Sequence, residues 1–302
     1  MKNKTLGSLY GFVLADALGV PVEFSTRKER EKDPVWEMRG HGTYDQPAGT
    51  WSDDTSLTLA LIDTILKGYD LDLLAKNFIT YLSGNYTPYG ELFDIGIGTR
   101  NSILNMQMGM DPVSCGGKDE RSNGNGSLMR ILPLVFYTKD MDFEQKMKVI
   151  ADCSSLTHAH EVSIFACQFY VCFAQNLLKG MNKQEAYEAT ISLFPNYPSV
   201  YQSIMDKTIV SRNVSTISSS GYVVHTLEAV LYCFLKYDNY NDIVFHAINL
   251  GEDTDTVGAI VGGLAGLYYG YDSLNKNWIK QLANKEVLDQ YFNAFVEYIE
   301  SK

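Results

Sequence analysis

Disulfide pairing, a basic surface and alternating strands are all but missing from this chain, and each absence narrows what it can be. Its five cysteines (Cys115, Cys153, Cys167, Cys172 and Cys233) are an odd number and form no Cys-x-x-Cys pair. They offer no disulfide framework and predict a reduced, cytoplasmic chain. Cys167, Cys172 and Cys233 fall in apolar stretches, where a free thiol packs as a small hydrophobe. Lys and Arg total 25 against 36 Asp and Glu, a net charge of −11. That balance argues against non-specific nucleic-acid binding and against an anionic membrane surface, and leaves a basic protein partner open. His41, His158, His160 and His246 have no metal-ligand spacing. No polar linker, low-complexity run or internal repeat divides the sequence, so residues 1–302 are expected to form a single domain.

What is present is helical periodicity. The 302 residues, 45% hydrophobic and 20% charged, suffice for a sizeable core. Leu57, Ala60, Leu61, Thr64 and Ile65 repeat at three- and four-residue steps, with Gly68 at the expected C-terminal end. Val223, Val224, Leu227, Leu231, Phe234 and Leu235 do the same after Gly221. Residues 162–178 are apolar almost all round and predict a central buried helix. Gln168 and Gln175 make it too polar for a membrane span. Lys2 and Lys4 ahead of an apolar run, with Ala15-Asp16-Ala17, imitate a signal peptide. Because Gly7, Ser8 and Gly11 break that run and it continues to Phe24, a buried first helix is expected instead.

Residues 257–269 hold Gly258, Gly262, Gly263 and Gly266. Each glycine costs a helix about 1 kcal/mol relative to alanine, so close approach of a second helix is the expected reason. Residues 29–50, 86–89, 111–126 and 210–221 read as loops from their Gly, Pro, Asn and Ser content. The expected fold is all-α, a compact orthogonal multi-helix bundle with a loop-lined cleft.

Two acidic clusters stand far apart in this pattern: Ser52-Asp53-Asp54-Thr55 and Asp253-Thr254-Asp255-Thr256. Each opens an apolar helical segment. Hard cations such as Mg²⁺ or Mn²⁺ take oxygen ligands, and carboxylates with hydroxyls supply them. Asp53, Asp54, Asp253 and Asp255 carry charge enough for two divalent ions. Ser, Thr and Asp are also the preferred helix N-caps, favoured by the helix dipole, so either cluster alone reads more readily as a helix start than as a ligand set. A start needs one cap, however, and each cluster offers three or four oxygen side chains whose mutual repulsion a cation would relieve.

The chain resembles the ADP-ribosylglycohydrolases of the dinitrogenase-reductase-activating type. The resemblance rests on Gly49-Thr50-Trp51 leading into Ser-Asp-Asp-Thr and on Gly251-Glu252 leading into Asp-Thr-Asp-Thr. It extends through Asp16-Ala17-Leu18-Gly19-Val20-Pro21-Val22-Glu23-Phe24, Phe93-Asp94-Ile95-Gly96, Asn123 to Arg130, Leu156-Thr157-His158 and Gly221 to Val224. It implies an all-helical fold with two divalent metal ions, Mg²⁺ or Mn²⁺, held by Ser52, Asp53, Asp54, Asp253, Asp255 and Thr256. Ser52 stands where the family more often has threonine, and its hydroxyl can coordinate as well. The implied substrate is an ADP-ribosylated protein, modified on arginine or in some branches on serine, and the product is ADP-ribose.

Cleavage at the ribose C1″ builds oxocarbenium-like charge, and a carboxylate must handle a proton. The resemblance implies catalytic roles for Asp94, in proton transfer, and Glu23, in gating the second metal or the leaving group. The local alternatives are that Asp94 caps a helix starting at Ile95 and that Glu23 is solvated. Asn123, Gly124, Asn125, Gly126 and Ser127 form a glycine-rich turn whose N–H groups could hold a diphosphate. Met129 is expected in the core, and Arg130 is a candidate to tie down a metal-site carboxylate. His158 is implied at the site's mouth and Tyr222 against the nucleotide; His225 replaces an aspartate that the family often has three residues after this tyrosine. The alternatives are a serine- or other O-linked ADP-ribosyl hydrolase, a non-catalytic ADP-ribose-binding or crystallin-like protein, and a two-metal phosphohydrolase.

Overall fold

The computed structural model describes residues 1–302. Its helices are α1 (Lys2–Gly19), α2 (Arg27–Lys32), α3 (Asp53–Leu66), α4 (Leu71–Tyr81), α5 (Ile97–Gln107), α6 (Pro133–Tyr137), α7 (Phe143–Ser155) and α8 (Glu161–Leu178). There follow α9 (Lys183–Ser192), α10 (Gln202–Met205), α11 (Val223–Lys236), α12 (Tyr240–Ile248), α13 (Thr254–Tyr269), α14 (Lys276–Gln281) and α15 (Lys285–Glu300). Isolated bridges such as Gly117–His158 and Gly124–Tyr222 are the only β pairing. The fold is all-α, as expected.

The centre is an antiparallel pair, α1 on α13, joined by glycines. A Cβ on Gly262 would lie 2.4 Å from the Gly11 carbonyl oxygen, and one on Gly19 would lie 2.4 Å from the Asp255 Cα. The backbones therefore touch, which answers for Gly258, Gly262 and Gly266; Gly263 instead faces the side chains of Leu132 and Tyr170. α1 is long and apolar enough to cross a membrane by length and composition, and 94% of that stretch is buried within the fold. It is the buried first helix that the sequence leads one to expect. One apolar cluster runs from Leu9 to Ile299 and includes the inward residues of α3, α8 and α11.

Helix starts follow local chemistry. Asp70, Asp142 and Asn182 each accept a first-turn N–H, and Asn182 with Glu185 forms a reciprocal capping box. α3 ends where Gly68 turns to φ 109°. One expectation is corrected. Residues 29–50 do not begin as a loop, because α2 covers the start of that range. Thr26 and Glu29 cap each other across its first turn. That signature, Thr-x-x-Glu, is visible in the sequence but lacks an apolar stripe to draw attention to it.

Candidate active site

The two acidic clusters meet. Thr256 Oγ1 donates to Asp54 Oδ2 at 3.2 Å across 202 residues of chain. The α1–α13 pairing makes this contact possible by bringing the start of α13 beside the end of α1, while Asp16 on α1 holds the start of α3. Asp16 accepts from the Ser52 N–H (3.0 Å), the Thr55 N–H (3.2 Å) and the Thr55 hydroxyl (2.5 Å). The two acidic segments and Asp16 of α1 are thereby linked through the start of α3.

Capping accounts for only one member of the clusters. Ser52 Oγ accepts the Asp54 N–H at 3.3 Å, while its own proton goes to Asp54 Oδ2 at 3.1 Å. Asp253 stands at the N-cap of α13 and makes no capping bond. Its Oδ2 accepts instead from Asn125 Nδ2 at 2.6 Å. Asp94 caps nothing, since α5 starts at Ile97 with Gly96 as its N-cap, and Glu23 is 8% exposed rather than solvated.

Seven carboxylates therefore crowd together: Asp16, Glu23, Asp53, Asp54, Asp94, Asp253 and Asp255. None of the fold's ion pairs includes any of them. Burial raises the pKa of Asp53, Asp54 and Asp255 well above the usual range, and the neighbouring carboxylates add to it. Burial, then the charges of Asp94 and Asp253, lifts Glu23 to about 9. Asp94 rises to about 6, mainly by burial. Asp54 Oδ1 is buried and has no partner. Such repulsion and an orphaned carboxylate oxygen give the cluster the chemistry of a candidate cation site. Carboxylate oxygens of Glu23, Asp253 and Asp255 lie within 4.8 Å of one another, a spacing that one cation can bridge. The donor set is all oxygen, which fits a hard divalent ion.

Above the carboxylates opens a cleft of about 360 Å³, lined in part by Glu23, Asp53, Asp94, Gly124, Asn125, Gly126, His158, Asp253 and Thr256. Ser52, Asp54 and Asp255 lie beneath it, almost wholly buried. A second hollow of about 520 Å³ adjoins it, sharing Ile97, Gly98, Gly124 and His158, and adding Asn101, Asn105 and Arg121.

Two residues expected at the site, Asn123 and Ser127, stand away from the cleft, and others take different places around it. Ser127 Oγ accepts from Ser154 and Cys167 in the core, and Asn123 Oδ1 accepts from Ser163. Both shape the turn without lining the cleft. Tyr222 is half-buried beside it, its ring edge-on to His225, whose Nδ1 faces the Ser220 hydroxyl. His158 is a wall residue rather than a mouth residue. It is 5% exposed, sits against the Thr157 hydroxyl at 2.8 Å, and burial drives its pKa down to about 3, so it is neutral. Met129 packs in the core as expected. Arg130 does not hold a carboxylate; its guanidinium donates to the Gly126 and Cys153 carbonyls and lies over the Phe78 ring.

Sequence reasoning gave no role to Asp16 and overlooked Tyr44 altogether. Tyr44 donates to Glu23 Oε2 at 2.6 Å. Asp16 was within reach, because a lone aspartate in an apolar helix needs buried partners; nothing in the sequence around Tyr44 distinguishes it from any loop tyrosine.

Known proteins place this geometry. The ADP-ribosylglycohydrolase family model matches residues 1–302. The chain is 30% identical over 289 residues to ADP-ribosylarginine hydrolase Tri1 of Serratia proteamaculans (strain 568), covering 94% of this chain and 76% of that protein. It is 27% identical to the ADP-ribosyl-[dinitrogen reductase] glycohydrolase of Rhodospirillum rubrum, covering 94% and 91% respectively. A solved structure described as an ADP-ribosylglycohydrolase-related protein complex superposes with a TM-score of 0.84 at 26% identity, covering 98% of both chains. With matches over its whole length and acidic motifs that converge on one cleft, the chain belongs to the ADP-ribosylglycohydrolase family.

Proposed function

We propose that this protein hydrolyses the bond between ADP-ribose and a modified arginine side chain, with two divalent cations, Mg²⁺ or Mn²⁺. The observation that carries the reading is the buried, unpaired carboxylate cluster at the floor of the cleft, with Asp54 Oδ1 lacking any partner. A non-catalytic binding protein would have no evident use for so much uncompensated charge. Arginine is favoured over serine because of the 30% identity to a relative named for ADP-ribosylarginine.

Ser52, Asp53, Asp54, Asp253, Asp255 and Thr256 would hold the cations, which supply charge compensation and polarise the ribose oxygens. The chain's own residues do the rest. The backbone of Gly124 and Gly126, without side chains to keep it away, borders the cleft against His158. There it can approach a diphosphate, and the adjoining hollow with Arg121 has room for the remaining nucleotide. His158, neutral and hydrogen-bonded to Thr157, walls the cleft without adding charge.

Asp94, raised to about 6, can accept the proton of an attacking water near neutral pH. As the water oxygen bonds to C1″, the C1″–N bond to the guanidine breaks. Glu23, which lines the cleft and whose carboxyl burial pushes up to about 9, would be the proton source for the departing group.

The test is incubation with matched arginine- and serine-ADP-ribosylated peptides, with Mg²⁺, Mn²⁺ or chelator, alongside Asp53→Asn and Asp255→Asn. The expected outcome is metal-dependent release of ADP-ribose from the arginine peptide, lost by at least ~100-fold in either variant. Release from the serine peptide alone would move the acceptor. Stabilisation by ADP-ribose with no release from either peptide would favour the binding protein.

A further inference from the structure

Tyr44 lies outside every acidic and glycine-rich motif, yet its side chain ties together the two loops that carry Glu23 and Asp94. It ends the short 3-10 turn Gly42–Tyr44, flanked by His41 at φ 63° and Asp45 at φ 52°. Non-glycine residues adopt such angles rarely and at a cost, so surrounding contacts must hold the turn in place. Those contacts converge on the Glu23 segment. A Cβ on Gly42 would lie 1.8 Å from the Pro21 carbonyl oxygen, so the turn is pressed against the chain leading to Glu23. The Thr43 hydroxyl donates to the Glu23 carbonyl at 2.7 Å, and the Tyr44 hydroxyl donates to Glu23 Oε2 at 2.6 Å.

The Tyr44 ring is held from both sides. Phe93, just before Asp94, meets it edge-on with centroids 5.3 Å apart. Phe24, just after Glu23, lies 6.4 Å away at a tilt. Phe24 is itself 69% exposed and has φ 63°, and its N–H is fixed by the Glu252 carbonyl at 2.7 Å. A hydroxyl has one proton to give, and here Glu23 takes it.

We propose that Tyr44 is a positioning residue: its hydroxyl fixes the Glu23 carboxyl facing into the cleft beside Asp94, and its ring sets the separation of their two loops. The catalytic consequence rests on the hydrolase reading above, whereas the structural consequence does not. Tyr44→Phe keeps the ring against Phe24 and Phe93 and removes only the hydroxyl. Near-attack geometry tolerates little displacement, about 100-fold in rate per ångström. In the full chain with Mn²⁺ and the arginine-ADP-ribosylated peptide, Y44F is expected to lower kcat about 10- to 100-fold, with KM within about twofold and melting temperature unchanged.

A kcat within about twofold of wild type would overturn the proposal. So would a lowered melting temperature with faster hydrogen exchange throughout the molecule, which would make Tyr44 a packing residue only. If the wild type releases no ADP-ribose, the hydrolase reading fails, and hydrogen exchange of the metal-free protein decides Tyr44 on its own. Faster exchange confined to the Phe24 and Ser25 amides in Y44F would support the positioning role, and unchanged exchange there would refute it.

Discussion

Asp16 lies in α1, fully buried, and accepts hydrogen bonds from two backbone N–H groups and one hydroxyl at the start of α3. Burial alone raises its pKa, to about 7, and each of these donors pulls the other way. It acts as a bracket under the Ser52–Thr55 segment. Removing it with Asp16→Ala leaves those donors buried and unpaired, at about 1–3 kcal/mol for the least favourable of them. Asp16→Ala is therefore expected to lower stability by about 3 kcal/mol and to weaken Mn²⁺ binding. Asp16→Asn keeps one acceptor oxygen and should lose less. Urea unfolding and Mn²⁺ titration of both variants provide the check; equal stability in all three proteins would refute the bracket role. Arg130 makes the opposite point. It is as buried as Asp16 and near the same site, yet its partners are carbonyls, so its part is to fix the turn at Gly126.

At the scale of elements, the decisive contact is α1 on α13. Gly262 faces the Gly11 carbonyl so closely that an added methyl would stand 2.4 Å from it, with the Ala15 Cβ at 2.6 Å. Alanine would improve helix propensity by about 1 kcal/mol, but overpacking a rigid interface costs about 1–3 kcal/mol. Backbone against backbone has no side chain to yield, so the overpacking should outweigh the gain in propensity. Gly262→Ala is expected to destabilise the protein by about 1–2 kcal/mol net. It should also weaken Mn²⁺ affinity, because the same interface sets Asp255 against Gly19. Urea unfolding with parallel metal titration tests this; a more stable variant would show that the helices can separate cheaply.

For the molecule as a whole, the crowded carboxylates link stability to pH and to metal. Unfolded carboxyls titrate near 4, whereas in the fold Asp94 titrates at about 6, Asp16 at about 7 and Glu23 at about 9. Over that window the folded chain holds protons that the unfolded chain has released. Stability must then fall as pH rises from about 4 to about 9. The metal-free protein is expected to melt at progressively lower temperature across this range, and saturating Mg²⁺ or Mn²⁺ should reverse the trend by binding the folded state. Calorimetry with chelator or metal measures it directly. A melting temperature that does not decline with pH in chelator would contradict the electrostatic account.

The sequence by itself determined α1, α3, α8, α11 and α13, though not α2, and the chemistry of the two acidic clusters, because both are local properties. Apolar spacing dictates which face of α3, α8 or α11 can be buried, and Ser-Asp-Asp-Thr offers oxygen ligands wherever it is placed. Even the capping alternative was partly legible, since Ser52 both caps α3 and faces Asp54. Tertiary structure alone decided that the clusters meet, that Asn123 and Ser127 face away from the cleft, and that Arg130 binds carbonyls. It also supplied Asp16 and Tyr44, whose partners lie 20 or more residues away in the chain. The physical reason is that burial and hydrogen-bond partnership belong to whatever packs above a residue. Here the α1–α13 contact brings that packing from the opposite end of the chain.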